Sequence, residues 1–181
     1  MRLKGSSAYI LGEVEAAIEK VGDSKVDEMV SAIISAKKIF IFGVGRSGLV
    51  GQSFAVRLVQ IGLDVHFVGD MTTPIVEKED LVIIISNTGE TMSAVQTANI
   101  VRRIGATVLT ITSSVHSKLA IASTIVLVIP PFKDEKRKQL APLGTLFEIS
   151  TWVILDSLIP VLMQRLNLTE ASLRKRHAIW V

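Results

Sequence analysis

The sequence predicts an α/β fold of the doubly wound kind, a mainly five-stranded parallel sheet flanked by helices. Three observations point to it. Short β-branched runs such as Leu81-Val82-Ile83-Ile84-Ile85 are apolar at every position, as strands buried on both faces must be. Stretches with apolar residues at helical spacing separate these runs, which makes the connections crossovers and the strands parallel. Two of the strands also stop at glycine- and hydroxyl-rich turns, Gly43-Val44-Gly45-Arg46-Ser47-Gly48 and Ser86-Asn87-Thr88-Gly89-Glu90-Thr91.

At 181 residues the chain suits one domain spanning 1–181. N-terminal helices are expected over about 8–36, first from Ile10, Leu11, Val14, Ala17 and Ile18, then from Val26, Met29, Val30 and Ile33. Gly22-Asp23-Ser24 is the break, with Asp23 or Ser24 capping the second helix. A strand over 38–42 enters the first glycine turn, and a helix through Phe54, Leu58 and Ile61 ends at Gly62. The next strand covers 65–68. After it, 69–80 is long and irregular for a strand-to-helix link, and its polar centre, Thr72-Thr73-Pro74, makes Thr73 a candidate binding group. Strand 81–85 leads through the second turn into a helix carrying Met92, Val95, Ala98, Val101 and Ile104. Further strands are expected over 107–111 and 124–129, with a loop and short helix between them and Pro130-Pro131 as the stop. The mixed-sign run Lys133 to Lys138 reads as a solvated loop. A long apolar helix over about 146–165 follows, then a short basic helix capped by Thr169 and ending near His177. The N-terminal helices and those over about 145–177 pack on the sheet or on a partner subunit.

With 49% hydrophobic and 20% charged residues, the chain can build a packed core. A net charge of +3 is too small to argue for nucleic acid, though it favours phosphorylated metabolites mildly. No apolar run approaches the roughly 18 residues that span a bilayer. The nearest, Trp152 to Met163, contains Asp156, Ser157 and Pro160, so no membrane partner is expected. The segment Met1 to Ser7 lacks the apolar stretch of a secretory signal and there is no cysteine, which together suggest a cytoplasmic protein. Three separated histidines, His66, His116 and His177, with no ligand-spaced acid cluster, argue against a metal site, and no cofactor is expected.

The two turns identify the ligand class. Each follows a strand and opens a helix, where unpaired backbone N–H groups and the positive end of the helix dipole favour an anion. Gly43 to Gly48 fits the dinucleotide pattern, but Asp70 lies beyond a glycine and outside the next strand, and no second domain is visible. Leu49 and Val50 occupy the places where a P-loop needs Lys and Ser or Thr. A monophosphate held by Gly45, Arg46 and Ser47 from one turn, and Ser86, Asn87, Thr88, Gly89 and Thr91 from the other, accounts for the pair better. Ser86 or Thr88 as a simple helix cap is the alternative.

Both turns, with Pro142-Leu143-Gly144-Thr145-Leu146-Phe147-Glu148 and the late Arg176-His177-Ala178, resemble the sugar isomerase (SIS) domain family over nearly the whole chain, and within it the 6-phospho-3-hexuloisomerases. Related phosphate loops usually read Ser-Gly-Ser-Gly where Ser86-Asn87-Thr88-Gly89 stands; Asn tolerates positive φ and Thr keeps a hydroxyl. Relatives tend to continue Arg-His-Ala with Asn-Leu-Glu, whereas this chain ends Ile179-Trp180-Val181. The resemblance implies a flavodoxin-like sandwich and interconversion of D-arabino-hex-3-ulose 6-phosphate with fructose 6-phosphate, a step of the ribulose monophosphate pathway. It also implies a homo-oligomer, a tetramer in relatives. Moving a carbonyl between C3 and C2 needs a base, and Glu148, in the first turn of an apolar helix, is the candidate. Its alternative role is a stabilising acid at a helix N-terminus. His177 is the candidate auxiliary acid, in its own or a neighbouring subunit's site, and Arg46 or Arg176 balances charge. Two other functions fit the same residues: an isomerase of the arabinose 5-phosphate type, and a sugar-phosphate sensing module without catalysis.

Overall fold

A computed structural model describes residues 3–177. Helices α1 (Leu3–Ile18) and α2 (Asp23–Ser35) precede strand β1 (Ile39–Gly43), then come α3 (Arg46–Gln60), β2 (Val65–Phe67), β3 (Leu81–Ile85), α4 (Met92–Ile104) and β4 (Thr107–Thr112). The chain continues through α5 (Lys118–Ile121), β5 (Ile125–Val128), α6 (Arg137–Leu140), α7 (Thr145–Arg165) and α8 (Glu170–Lys175). All neighbouring strands are parallel, in the order β2-β1-β3-β4-β5. The chain therefore steps outward from β1 to β2, returns past β1 to β3, and proceeds the other way. That reversal puts the switch point, where such folds bind ligands, between β1 and β3.

Side-chain alternation divides the strands between two cores. Ile39, Ile41, Ile83, Ile85, Leu109 and Ile111 join residues of α2, α3 and α7 on one face. Phe40, Val82, Ile84 and Val108 meet Ala94, Ala98 and Val101 of α4 and Leu119 of α5 on the other. Every residue of β3 is at most 1% exposed, which explains its unbroken apolar sequence. Among the described residues no helix bridges β2 and β3; Val68 and Val76 from the irregular 68–80 stretch pack on the second core instead.

Several local expectations are corrected. Helix α1 begins at Leu3 rather than near residue 8, through Gly5, Ser6 and Ser7. The N-cap of α2 is Gly22, with no side-chain cap bond, and Asp23 sits in the first turn, where its charge complements the dipole. The run 133–138 is not all loop, since it enters α6 at Arg137. Helix α7 is long and apolar enough, by length and composition, to cross a membrane, contrary to the sequence reading. Its buried residues, among them Phe147, Ile154, Leu155 and Leu158, belong to the first core, so it is the central helix of this domain.

Asp80 anchors the amino-terminal edge of the sheet. Only 2% exposed, it accepts hydrogen bonds from Lys38 N (3.1 Å) and Glu77 N (2.7 Å) and lies 3.4 Å from Lys38 Nζ. Asp80→Ala strands two backbone donors and is expected to lower stability by about 3 kcal/mol, while the Lys38 ammonium keeps Glu77 (2.9 Å) and Ile75 O (3.0 Å). Urea unfolding reads this as a lower midpoint at constant slope.

Candidate active site

The glycine pattern of the first turn is explained by packing. A Cβ on Gly43 would lie 2.8 Å from Gly48 N, and one on Gly48 would lie 2.5 Å from Gly43 O, so the strand end and α3 touch backbone to backbone. Gly45, with φ of 59°, makes the bend between them. Ser47 is thereby buried on the first turn of α3, beside the end of β3.

The second turn is folded by its own hydroxyls. Ser86 Oγ accepts from Gly89 N (3.2 Å) and lies 3.4 Å from Thr91 Oγ1, while Thr88 Oγ1 accepts from Glu90 N (3.2 Å). Thr91 is the N-cap of α4 but makes no side-chain cap bond, and neither Ser86 nor Thr88 serves as the cap. Together the turns enclose a cavity of about 150 Å³ lined by Val44, Ser47, Ser86, Asn87, Thr88 and Thr91. The cavity combines hydroxyls with the amino end of a 13-residue helix, a setting for a phosphate dianion.

Neighbouring loops hold this turn in place. Asn87 O accepts from Ser113 N (2.9 Å) and Thr112 Oγ1 (3.1 Å), and Asn87 Oδ1 accepts from Ser113 Oγ (2.6 Å). Gly89 O accepts from Leu119 N (3.0 Å). Glu90 accepts from Lys118 N (3.0 Å) and pairs with Lys118 Nζ (2.9 Å). The Lys118 backbone N–H, and then its ammonium group, hold the Glu90 carboxyl below the ordinary glutamate value of 4.5. A carboxylate depressed by folding stabilises the protein above its unfolded pKa and loses that effect as pH falls through the lower folded value. The difference in melting temperature between the wild type and Glu90→Gln is therefore expected to be constant from pH 8 to about 5 and to shrink below about 4.5. Thermal melts across that range check it.

Glu148 faces the same end of the sheet. Its N–H donates to Gly144 O (2.9 Å), and its carboxylate folds over Gly144, where a Cβ would lie 2.9 Å from Oε1. The carboxylate is only 12% exposed and accepts from Nε of Arg46, whose side chain is 67% exposed. The α3 amino terminus, carrying Arg46 and Ser47, thus links the base candidate to this cavity.

The chain brings Ser47, Ser86, Asn87, Thr88 and Thr91 to one cavity, with Gly45 and Gly89 as its bends and Arg46 and Glu148 at its side. Thr73 is elsewhere: its hydroxyl donates to Phe67 O (3.0 Å) and Asp70 O (2.6 Å) and does not line the cavity. His177 does not line the cavity either. Its neighbour Arg176 packs on Gly62, just beyond the carboxyl end of α3, whereas the cavity is at the amino end, about 20 Å away along the helix. His66 pairs with Asp64 (3.0 Å) and stacks near Phe40. Ser113 escaped the sequence reading, although a hydroxyl cluster directly after a strand, Thr112-Ser113-Ser114, repeats the signal of the second turn. A second cavity of about 140 Å³ shares Asn87 with the first and reaches Arg137, Leu146 and Phe147. Among the described residues, no group of three His, Cys, Asp or Glu is placed to hold a metal ion.

Comparison with known proteins matches the SIS domain to residues 32–145, which takes in both turns and stops at the start of α7. A 3-hexulose-6-phosphate isomerase from Methanocaldococcus jannaschii is 42% identical over 154 residues, covering 85% of this chain and 83% of that protein. A solved Methanococcus jannaschii structure, from which a molecular function of 3-hexulose-6-phosphate isomerase has been inferred, has a TM-score of 0.85 at 34% identity, covering 95% of this chain and 97% of the other. An arabinose 5-phosphate isomerase from Pseudomonas aeruginosa is 27% identical over 171 residues, covering 91% of this chain and 51% of that protein. With residues 32–145 matched by the family and 85% of the chain covered by a relative 42% identical to it, the chain belongs to the SIS domain family.

Proposed function

We propose that this protein is a sugar-phosphate isomerase that interconverts D-arabino-hex-3-ulose 6-phosphate and fructose 6-phosphate through a 2,3-enediol. The observation that carries the reading is the placement of Glu148, a mostly buried carboxylate joined through Arg46 to the helix that supplies Ser47 to the phosphate cavity. The phosphate docks among the hydroxyls of Ser47, Ser86, Thr88 and Thr91 and the amino end of α4, with Gly45, Asn87 and Gly89 shaping the turns. Glu148 removes the C2 proton of the hexulose, the electron pair moves to make the enediolate, and the same carboxyl returns a proton to C3. For fructose 6-phosphate the order reverses, with C3 deprotonated and C2 protonated. Arg46 balances charge beside the carboxylate. His177 acts as auxiliary acid from a neighbouring copy, since the side chain of its neighbour Arg176 packs at the other end of α3. Exposed Leu49 and Val56 on α3 and Trp152 and Val153 on α7 give such a copy an apolar surface to meet, in keeping with a homotetramer. No cofactor enters this route.

A second reading, an isomerase of the arabinose 5-phosphate type, draws on the likeness to the Pseudomonas aeruginosa arabinose 5-phosphate isomerase, about half of whose length this chain spans. Incubation with fructose 6-phosphate in deuterium oxide, followed by NMR, separates the readings. Deuterium at C3 with hexulose formation is the expected result. Turnover of arabinose 5-phosphate alone favours the second reading, and binding without exchange leaves a sensing module.

A further inference from the structure

We infer that Arg137 forms, with Asn87, a second subsite that binds the carbon chain of a six-carbon ketose phosphate beyond its phosphate group. The inference rests on the isomerase reading for the identity of the ligand, and its first test is independent of turnover. A cavity of about 150 Å³ holds a ligand no larger than benzene, so it takes the phosphate and leaves most of the sugar outside. A second cavity of about 140 Å³ shares Asn87 with it and is lined also by Ser113, Phe132, Arg137, Leu146 and Phe147. Leu146 and Phe147 directly precede Glu148 on α7, so a chain laid along this second cavity passes the first turn that carries the base.

The polar groups here have unused donors. Asn87 Oδ1 is occupied by Ser113 Oγ, which leaves the two amide N–H donors of Asn87 for a ligand. Arg137 is half-buried, yet its guanidinium makes no ion pair or hydrogen bond among the described residues. A guanidinium with open donors on a cavity wall is well placed for a ligand that supplies acceptors. Its planar set of donors suits vicinal hydroxyls or an enediolate oxygen. The segment bearing it is also held in place. Ser6 Oγ of α1 donates to Leu140 O at the end of α6 (2.5 Å). Tyr9, beside Asp134, has a buried hydroxyl that burial first and Asp134 second push above the ordinary tyrosine range, with the charge of Arg137 opposing.

Titration calorimetry compares fructose 6-phosphate with inorganic phosphate on the wild type, Arg137→Met and Arg137→Lys. The wild type is expected to prefer the sugar phosphate, and Arg137→Met to lose at least tenfold in affinity for it while binding inorganic phosphate within twofold. Arg137→Lys, which keeps the charge and loses the planar fork, should fall between. In the kinetic arm, Arg137→Met lowers kcat/KM for fructose 6-phosphate at least tenfold. Equal loss for inorganic phosphate, an unchanged sugar-phosphate affinity, or a wild type without preference between the two ligands each overturns the inference. If deuterium exchange fails while the calorimetric difference persists, the isomerase reading falls and the subsite stands.

Discussion

Gly89→Ala is expected to cost at least tenfold in affinity for inorganic phosphate and about 2–4 kcal/mol of stability. Gly89 has φ of 65°, where an L-residue is strained, and its turn is packed against the loop after β4. A Cβ there would lie 2.5 Å from Ser117 Cβ and 2.9 Å from Thr112 Oγ1, besides striking Ser117 Oγ. Thr112 and Leu119 also hydrogen-bond this turn, so the clash cannot be relieved without displacing Ser86 and Thr88 from the cavity. Calorimetry with inorganic phosphate gives the affinity and urea unfolding the stability. The double change Gly89→Ala with Ser117→Gly removes the Ser117 part of the clash and should restore some of both. Phosphate affinity within twofold of wild type in Gly89→Ala would mean that the turn does not hold the anion.

Glu148→Gln is expected to lower kcat by about 10²- to 10⁴-fold, equivalent to about 3–5 kcal/mol of transition-state stabilisation, with inorganic phosphate affinity changed no more than a few fold. The amide keeps the size of the carboxylate and still offers an oxygen to Arg46, but it cannot take a proton from carbon. Little stability should be lost, because the partner of Glu148 is mostly exposed and such ion pairs contribute about 0–1 kcal/mol. Deuterium incorporation at C3 should fall in parallel with turnover, since both need the same proton transfer. The competing role, an acid that merely stabilises the α7 amino terminus, predicts the reverse: a lower melting temperature and near-normal turnover.

The sheet was legible because its strands are buried on both faces. β1 and β3 have no polar alternation to confuse, and the glycine and hydroxyl turns mark where each strand ends. Cavity residues from Ser47 to Thr91 were legible for the same reason, because strand ends and helix starts are fixed points in this topology. The start of α1 was hidden, since Gly5, Ser6 and Ser7 have low helix preference and are held partly by a contact with Leu140, far along the chain. Thr73 looked like a free hydroxyl, but carbonyls of its own loop consume its proton. Arg137 was concealed in a run of mixed charge whose sequence matches any solvated loop, and only tertiary packing turns it toward a cavity. His177 shows the limit in another form, since sequence adjacency to a motif carries no information about which end of the sheet a terminal helix reaches.

The position of β3 at the centre of the sheet also has a consequence for biosynthesis. Ile39 of β1 pairs with Leu81 of β3, 42 positions later, so a ribosome adding about 5–20 residues per second needs about 2–8 seconds to deliver that partner. During this interval β1 has only the three-residue β2 beside it, and one long side of an apolar strand stays unpaired. Its nascent edge is a template for another chain. Helices α1 and α2, made before β1, can shield one face of β1 as it emerges, but they cannot shield that edge, which closes only when Leu81–Ile85 arrives.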